Sequence, residues 1–123
     1  MAAYADFTFY VEEYRGSAIS AADFPRLAMR ASVVIDQVTF GRAAAVVTVD
    51  EDADTIELIR RATCAVAEEM QKADAGGVVQ SERVGQHSVT YAVSTVSDER
   101  RQAKAAKLYL AATGLMYRGL DAD

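Results

Sequence analysis

The stretch Phe24-Pro25-Arg26-Leu27-Ala28-Met29-Arg30-Ala31-Ser32-Val33-Val34-Ile35-Asp36-Gln37-Val38 decides the fold. Phe24, Leu27, Ala28, Ala31, Val34, Ile35 and Val38 recur at spacings of three and four, which lays one apolar stripe along an α-helix. Just before it, Ser20-Ala21-Ala22-Asp23 offers a hydroxyl followed three residues later by an acid, a weaker relative of the capping box. Pro25 stands in the first turns, where its missing N–H is least costly. The spacing predicts a helix over 21–39, stopped near Gly41, with a long face to bury.

Working outward from this helix, Asp6 is placed to cap a short helix that ends before Gly16. Phe7, Tyr10, Val11 and Tyr14 then share one face, although the stretch is aromatic and β-branched enough for part of it to be extended instead. On the other side, residues 42–54 run from an Ala/Val stretch into the acids Asp50, Glu51, Asp52 and Asp54. Acids suit the positive end of a helix macrodipole, so a helix is expected over 55–73, with Ile56, Ile59, Ala62, Val66 and Met70 on its core face. Gly76-Gly77 is read as its stop.

From Val78 the chain becomes rich in Val, Thr and Ser with period-two alternation, and Gly85 lies near the middle. A β-hairpin over about 78–96 is the expectation. Ser97-Asp98-Glu99 opens a last helix over 98–112, stopped by Gly114. The expected fold is therefore mainly α, in one domain spanning 1–123. It comprises a bundle of about four helices, one hairpin between the last two long ones, and an extended tail over 115–123.

Composition bounds the chemistry. The 123 residues are 51% hydrophobic and 25% charged, with a formal charge of -5. This is the balance of a soluble globular domain with room for one modest core. An acidic chain is a poor candidate for gripping phosphates along a whole face. No apolar run approaches a bilayer span, the start lacks the pattern of a secretory signal, and one Cys allows no internal disulfide. The expectation is an intracellular site of synthesis, with no membrane partner.

Catalytic side chains are sparse. One His and one Cys leave a nitrogen or sulfur metal cage without ligands, and the seven glycines build no phosphate loop. His87 falls in the expected hairpin turn and reads as a surface residue, and Cys64 as a small packed hydrophobe. Glu68 and Glu69 are adjacent on a helix, so they point about 100° apart and read as solvated. No catalytic, cofactor-binding or metal-binding residue is assigned, and no enzyme activity is expected.

Two features point to partners. Arg100, Lys104 and Lys107 make a basic stripe on the last helix, read either as a solvated face or as a contact for phosphates or acids. In a ring of identical subunits it would meet Asp50, Asp52 and Asp54 of a neighbour across a heterologous interface. The tail residues Leu115, Met116, Tyr117 and Leu120 are apolar beyond a Gly stop, and a lone hairpin is marginal in water, so each either folds back on the helices or awaits a partner.

Across nearly the whole chain, ordered segments carry a resemblance. They are Phe9-Tyr10-Val11-Glu12-Glu13-Tyr14-Arg15-Gly16, Ile19 to Phe24, Arg30-Ala31-Ser32 through Ile35-Asp36, and Thr39-Phe40-Gly41-Arg42. The run from Ala62 to Glu68, Ser81-Glu82-Arg83-Val84-Gly85, Ser88-Val89-Thr90-Tyr91, and Tyr109-Leu110 through Thr113-Gly114-Leu115-Met116-Tyr117-Arg118-Gly119 complete them. The chain resembles the head–tail connector (adaptor) proteins of bacteriophages with long non-contractile tails. That resemblance implies a small helical virion protein without enzymatic activity or cofactors. Such proteins assemble as a homo-oligomeric ring, commonly of twelve subunits, under the portal at the capsid vertex.

The implied partners are the portal protein, the next head-completion, stopper or tail protein, and DNA passing through the lumen without sequence-specific binding. Location would be the head–tail interface of the virion, after synthesis in the host cytoplasm. The resemblance gives the tail residues Leu115, Met116, Tyr117, Arg118 and Leu120 a use in binding the portal. The competing expectation is a small helical nucleic-acid-binding module using the basic stripe of the last helix.

Overall fold

The computed structural model describes the backbone of residues 3–82 and 88–116, with side chains described outside 75–97. The described chain is mainly α-helical. Five helices follow one another: α1 (Phe7–Glu12), α2 (Phe24–Val38), α3 (Arg42–Val49), α4 (Ala53–Glu82) and α5 (Ser88–Leu110). A 3-10 turn, Ala111–Thr113, closes the last of them.

Helix α4 is the central packing element, and α2 lays its apolar stripe against it. Phe24, Leu27, Ala28, Ala31 and Ile35 are all fully buried, as the three-and-four spacing requires. Ser32 is buried among them because its hydroxyl is satisfied twice. It donates to the Ala28 carbonyl at 2.8 Å and accepts from the Tyr4 N–H at 3.0 Å. The facing stripe on α4 is Ile56, Ile59, Ala62, Val66 and Met70, every one buried. Ala105, Ala106 and Leu110 of α5 complete the core. Each fully buried Leu, Ile, Val or Phe side chain stabilises the fold by about 1.5–3 kcal/mol.

Local chemistry sets the helix ends. The Asp6 carboxylate accepts from the Phe9 N–H at 2.8 Å and caps α1. The Ser20 hydroxyl accepts from the Asp23 N–H at 3.2 Å, holding the turn that enters α2 with Pro25 in its first positions. At the other end Phe40 (φ 57°) and Gly41 (φ 80°) take the left-handed region, which only Gly adopts without penalty, and α3 leaves α2 at 109°. Thr39 fastens this corner: its hydroxyl donates to the Ile35 carbonyl at 2.7 Å and accepts from the Ala43 N–H at 3.3 Å. Asp52 caps α4, accepting from the Thr55 N–H at 3.1 Å and the Thr55 hydroxyl at 2.7 Å.

Several expectations are corrected. The β-hairpin over 78–96 is not found: α4 continues to Glu82, α5 begins at Ser88, and the described residues contain no strand. Val89, Ala92, Val93 and Val96 fall at helical spacing while Val89, Tyr91 and Val93 alternate, so periodicity alone does not choose between the two. The choice falls to context. Extending a helix already anchored in the core adds one hydrogen bond per residue, whereas an isolated hairpin is marginal. Gly76-Gly77, at about 1 kcal/mol each relative to Ala, does not stop α4.

The run 42–49, for which its pattern predicts no element, is α3, held at its start by the Thr39 hydroxyl and built on the strong helix former Ala. Val11, expected on the buried face of α1, is 42% exposed. Phe9 is partly buried instead, with the Arg61 guanidinium 5.9 Å from its ring centroid.

Candidate assembly surfaces

The acids and the basic stripe lie where partners can reach them. Asp50, in the left-handed region (φ 55°), ends α3, and Asp54 stands in the first turn of α4. Asp50, Glu51, Asp52 and Asp54 are all exposed. The hydrogen bonds from Thr55 hold the Asp52 carboxyl below the usual carboxylate range. Asp52 therefore has a structural task as a cap, beside any role in an interface. Arg100, Lys104 and Lys107 are exposed on α5. Among the described residues no salt bridge joins these two patches within one chain.

The tail is brought in rather than thrown out. Gly114 (φ 77°) turns the chain after the 3-10 turn, and Leu115 and Met116 pack, partly buried, against the core. Thr113 locks the turn by donating to the Leu110 carbonyl at 2.6 Å and accepting from the Leu115 N–H at 3.1 Å. Arg42, from the start of α3, reaches the Gly114 carbonyl at 3.4 Å while its guanidinium sits 5.4 Å from the Phe40 ring centroid. Of the two expectations for the tail, Leu115 and Met116 follow the one in which it folds back on the helices, not the extended path. Tyr117, Arg118 and Leu120, as well as His87, lie outside the described residues.

Beside this turn opens a groove of about 690 Å³, lined by Ala103, Lys104, Lys107, Leu108, Ala111 and Met116. Leu108 is 74% exposed, the most exposed large hydrophobic side chain described. Its place one position beyond Lys107, off the stripe of Ala106 and Leu110, is the sequence signal for that exposure. Val49, 60% exposed at the end of α3 and beside Asp50, is a second apolar side chain the sequence reading passed over. Comparison with protein-family models, with curated proteins and with solved structures finds no match.

Two readings of the interior are sharpened. Cys64 is fully buried, and burial pushes its thiol up to about 12, so it is protonated and inert at neutral pH. Glu68 is half-buried and bonded rather than freely solvated. It accepts from the Tyr10 hydroxyl at 2.8 Å and the Tyr14 hydroxyl at 3.4 Å, while Glu69 pairs outward with Lys72 at 3.2 Å. Among the described residues no three His, Cys, Asp or Glu side chains gather as a metal cluster, and no single helix is long and apolar enough to cross a membrane.

Proposed function

We propose that this chain is a structural virion protein that forms a homo-oligomeric ring under the portal of a tailed bacteriophage, joining head to tail around a channel for DNA. The support is the ordered resemblance across nearly its whole length to connector proteins of phages with long non-contractile tails. Its mainly helical body agrees with the fold that resemblance implies, and its net charge of -5 suits a channel through which phosphates must slide without sticking.

In this reading the ring holds about twelve chains. Its upper contact is the portal, reached by the tail from Leu115 through Leu120, and its lower contact is the next stopper or tail protein. Each tail contact is small, and avidity across the ring makes the whole dock firm. The chain performs no catalysis and takes no cofactor.

Co-sedimentation of the purified chain with portal-bearing capsids that lack tails tests this. Retention at a fixed stoichiometry per capsid, lost on capsids without portals, is the expected result. Equal recovery from both kinds of capsid contradicts it. The exposed stripe Arg100, Lys104 and Lys107 is what favours a second reading, a small nucleic-acid-binding module. Duplex DNA binding whose affinity falls steeply with salt, without portal retention, supports that reading instead.

A further inference from the structure

We infer that the groove beside the end of α5 is the socket for a second copy of this chain, and that its occupant is the acidic turn from Val49 to Asp54. This rests on the ring reading and names the contact that closes it.

The groove has an apolar floor and a basic rim. Leu108, Met116, Ala103 and Ala111 supply the floor, and Lys104 and Lys107 the rim. Arg100, one turn before Lys104, extends the positive edge along α5. The α3–α4 turn has the matching arrangement in the opposite sign. Val49 projects an apolar side chain that is 60% exposed, and Asp50, Glu51, Asp52 and Asp54 follow it, all exposed.

Val49 against Leu108 removes apolar surface from water at both partners. Carboxylates against Lys104 and Lys107 steer the approach and set the register. The backbone of the turn is already fixed by the Asp52–Thr55 cap, so little ordering is required on binding. Socket and plug are different patches of one chain. Each copy therefore offers its plug to one neighbour and its socket to the other, a heterologous contact that propagates until it closes.

Mixed-cysteine cross-linking of the full chain tests the pairing. In a Cys64→Ala background, Val49→Cys and Leu108→Cys variants are oxidised separately and as an equal mixture, and covalent dimers are read on non-reducing gels. Both positions are exposed, so folding is retained. The expected result is dimer in the mixture, little from either variant alone, and loss of that dimer at high salt as charges are screened. Lys104→Glu with Lys107→Glu in the socket chain abolishes the dimer, and Asp50→Lys with Asp54→Lys in the plug chain restores it.

A mixture of Leu108→Cys with Val11→Cys, another exposed valine, serves as the control. Equal dimer yields in the two mixtures overturn the pairing, as does dimer from Leu108→Cys alone. Dimer that appears only after removal of residues 117–123 overturns it too, since the chain's own tail then fills the groove. Rings seen at the portal without the Val49–Leu108 dimer refute the pairing and leave the ring standing; absence of both refutes the two together.

Discussion

The Tyr10 hydroxyl donates to the Glu68 carboxylate at 2.8 Å and so ties α1 to α4 across 58 residues of chain. The same oxygen accepts from the N–H groups of Ala18 and Ile19 at 2.9 and 3.1 Å, which folds the link between α1 and α2 around it. The ring is fully buried and stacks on Phe24, centroid to centroid at 4.8 Å. One side chain thereby fixes where the N-terminal segment lies on the helical body.

Tyr10→Phe keeps the ring and deletes the hydroxyl. It leaves two N–H donors without their acceptor and removes the shorter of the two tyrosine bonds to Glu68, so a loss of about 1–3 kcal/mol is expected. Tyr10→Ala removes the ring as well and costs about 3–5 kcal/mol. Urea unfolding of the two variants beside the parent chain measures both. A Tyr10→Phe midpoint equal to the parent's would show that the hydroxyl network is not stabilising.

Gly16 is required by space. A Cβ there would stand 2.2 Å from Tyr10 Cε1 and 2.3 Å from its Cζ. These are the carbons of a ring locked in the core, so nothing yields cheaply. Gly16→Ala should cost about 1–3 kcal/mol by overpacking, read as a lower thermal midpoint. An unchanged midpoint would place the link between α1 and α2 elsewhere.

Alkaline pH should weaken the fold in a defined window. Burial, and then the hydrogen bond to Glu68, push the Tyr10 hydroxyl from 10.0 up to about 12, and burial pushes the Cys64 thiol from 9.0 up to about 12. Both groups hold their protons more tightly folded than unfolded. Their contribution is therefore complete below pH 9 and is lost as pH rises from 9 to 12. Urea midpoints at pH 8, 9, 10 and 11 should fall progressively, and less steeply for Tyr10→Phe. Native Cys64 should also resist a thiol reagent at pH 8 until the chain unfolds. Rapid labelling under native conditions would contradict its burial.

The position of Leu115 and Met116 decides where the tail is to be cut. They pack on the core, so removing residues 115–123 damages the body. Removing only 117–123 should keep helical circular dichroism and the thermal midpoint while abolishing retention on portal-bearing capsids. Full retention by that truncated chain would move the portal contact off the tail.

The legible part of the fold is the part whose pattern is governed by burial. The Phe24-to-Ile35 and Ile56-to-Met70 stripes are set by periodicity, and they form much of the observed core. Asp6 is legible as a cap because a short carboxylate before a helix can accept from a free N–H of its first turn, whereas Asp52 is expected only as one of several acids near a helix start and proves to be the cap. The stretch 78–96 reads as strand because Val, Thr and Ser favour strands, but they do so only where a sheet exists to receive them, whereas here α4 runs on to Glu82 and α5 begins at Ser88.

Of the candidate surfaces, the charges were visible in the sequence. The exposure of Leu108 and Val49 was not, because it depends on which side of each helix the rest of the chain covers. Glu68 was likewise misjudged, since its tyrosine partners come from 54 and 58 positions away.

Electron microscopy of portal-bearing capsids incubated with the purified chain addresses the ring most directly. A closed ring of this chain beneath the portal vertex, with its helical body visible and an open lumen, is the predicted result. Bare portals at saturating protein, with the chain monomeric or bound along free DNA, would contradict it.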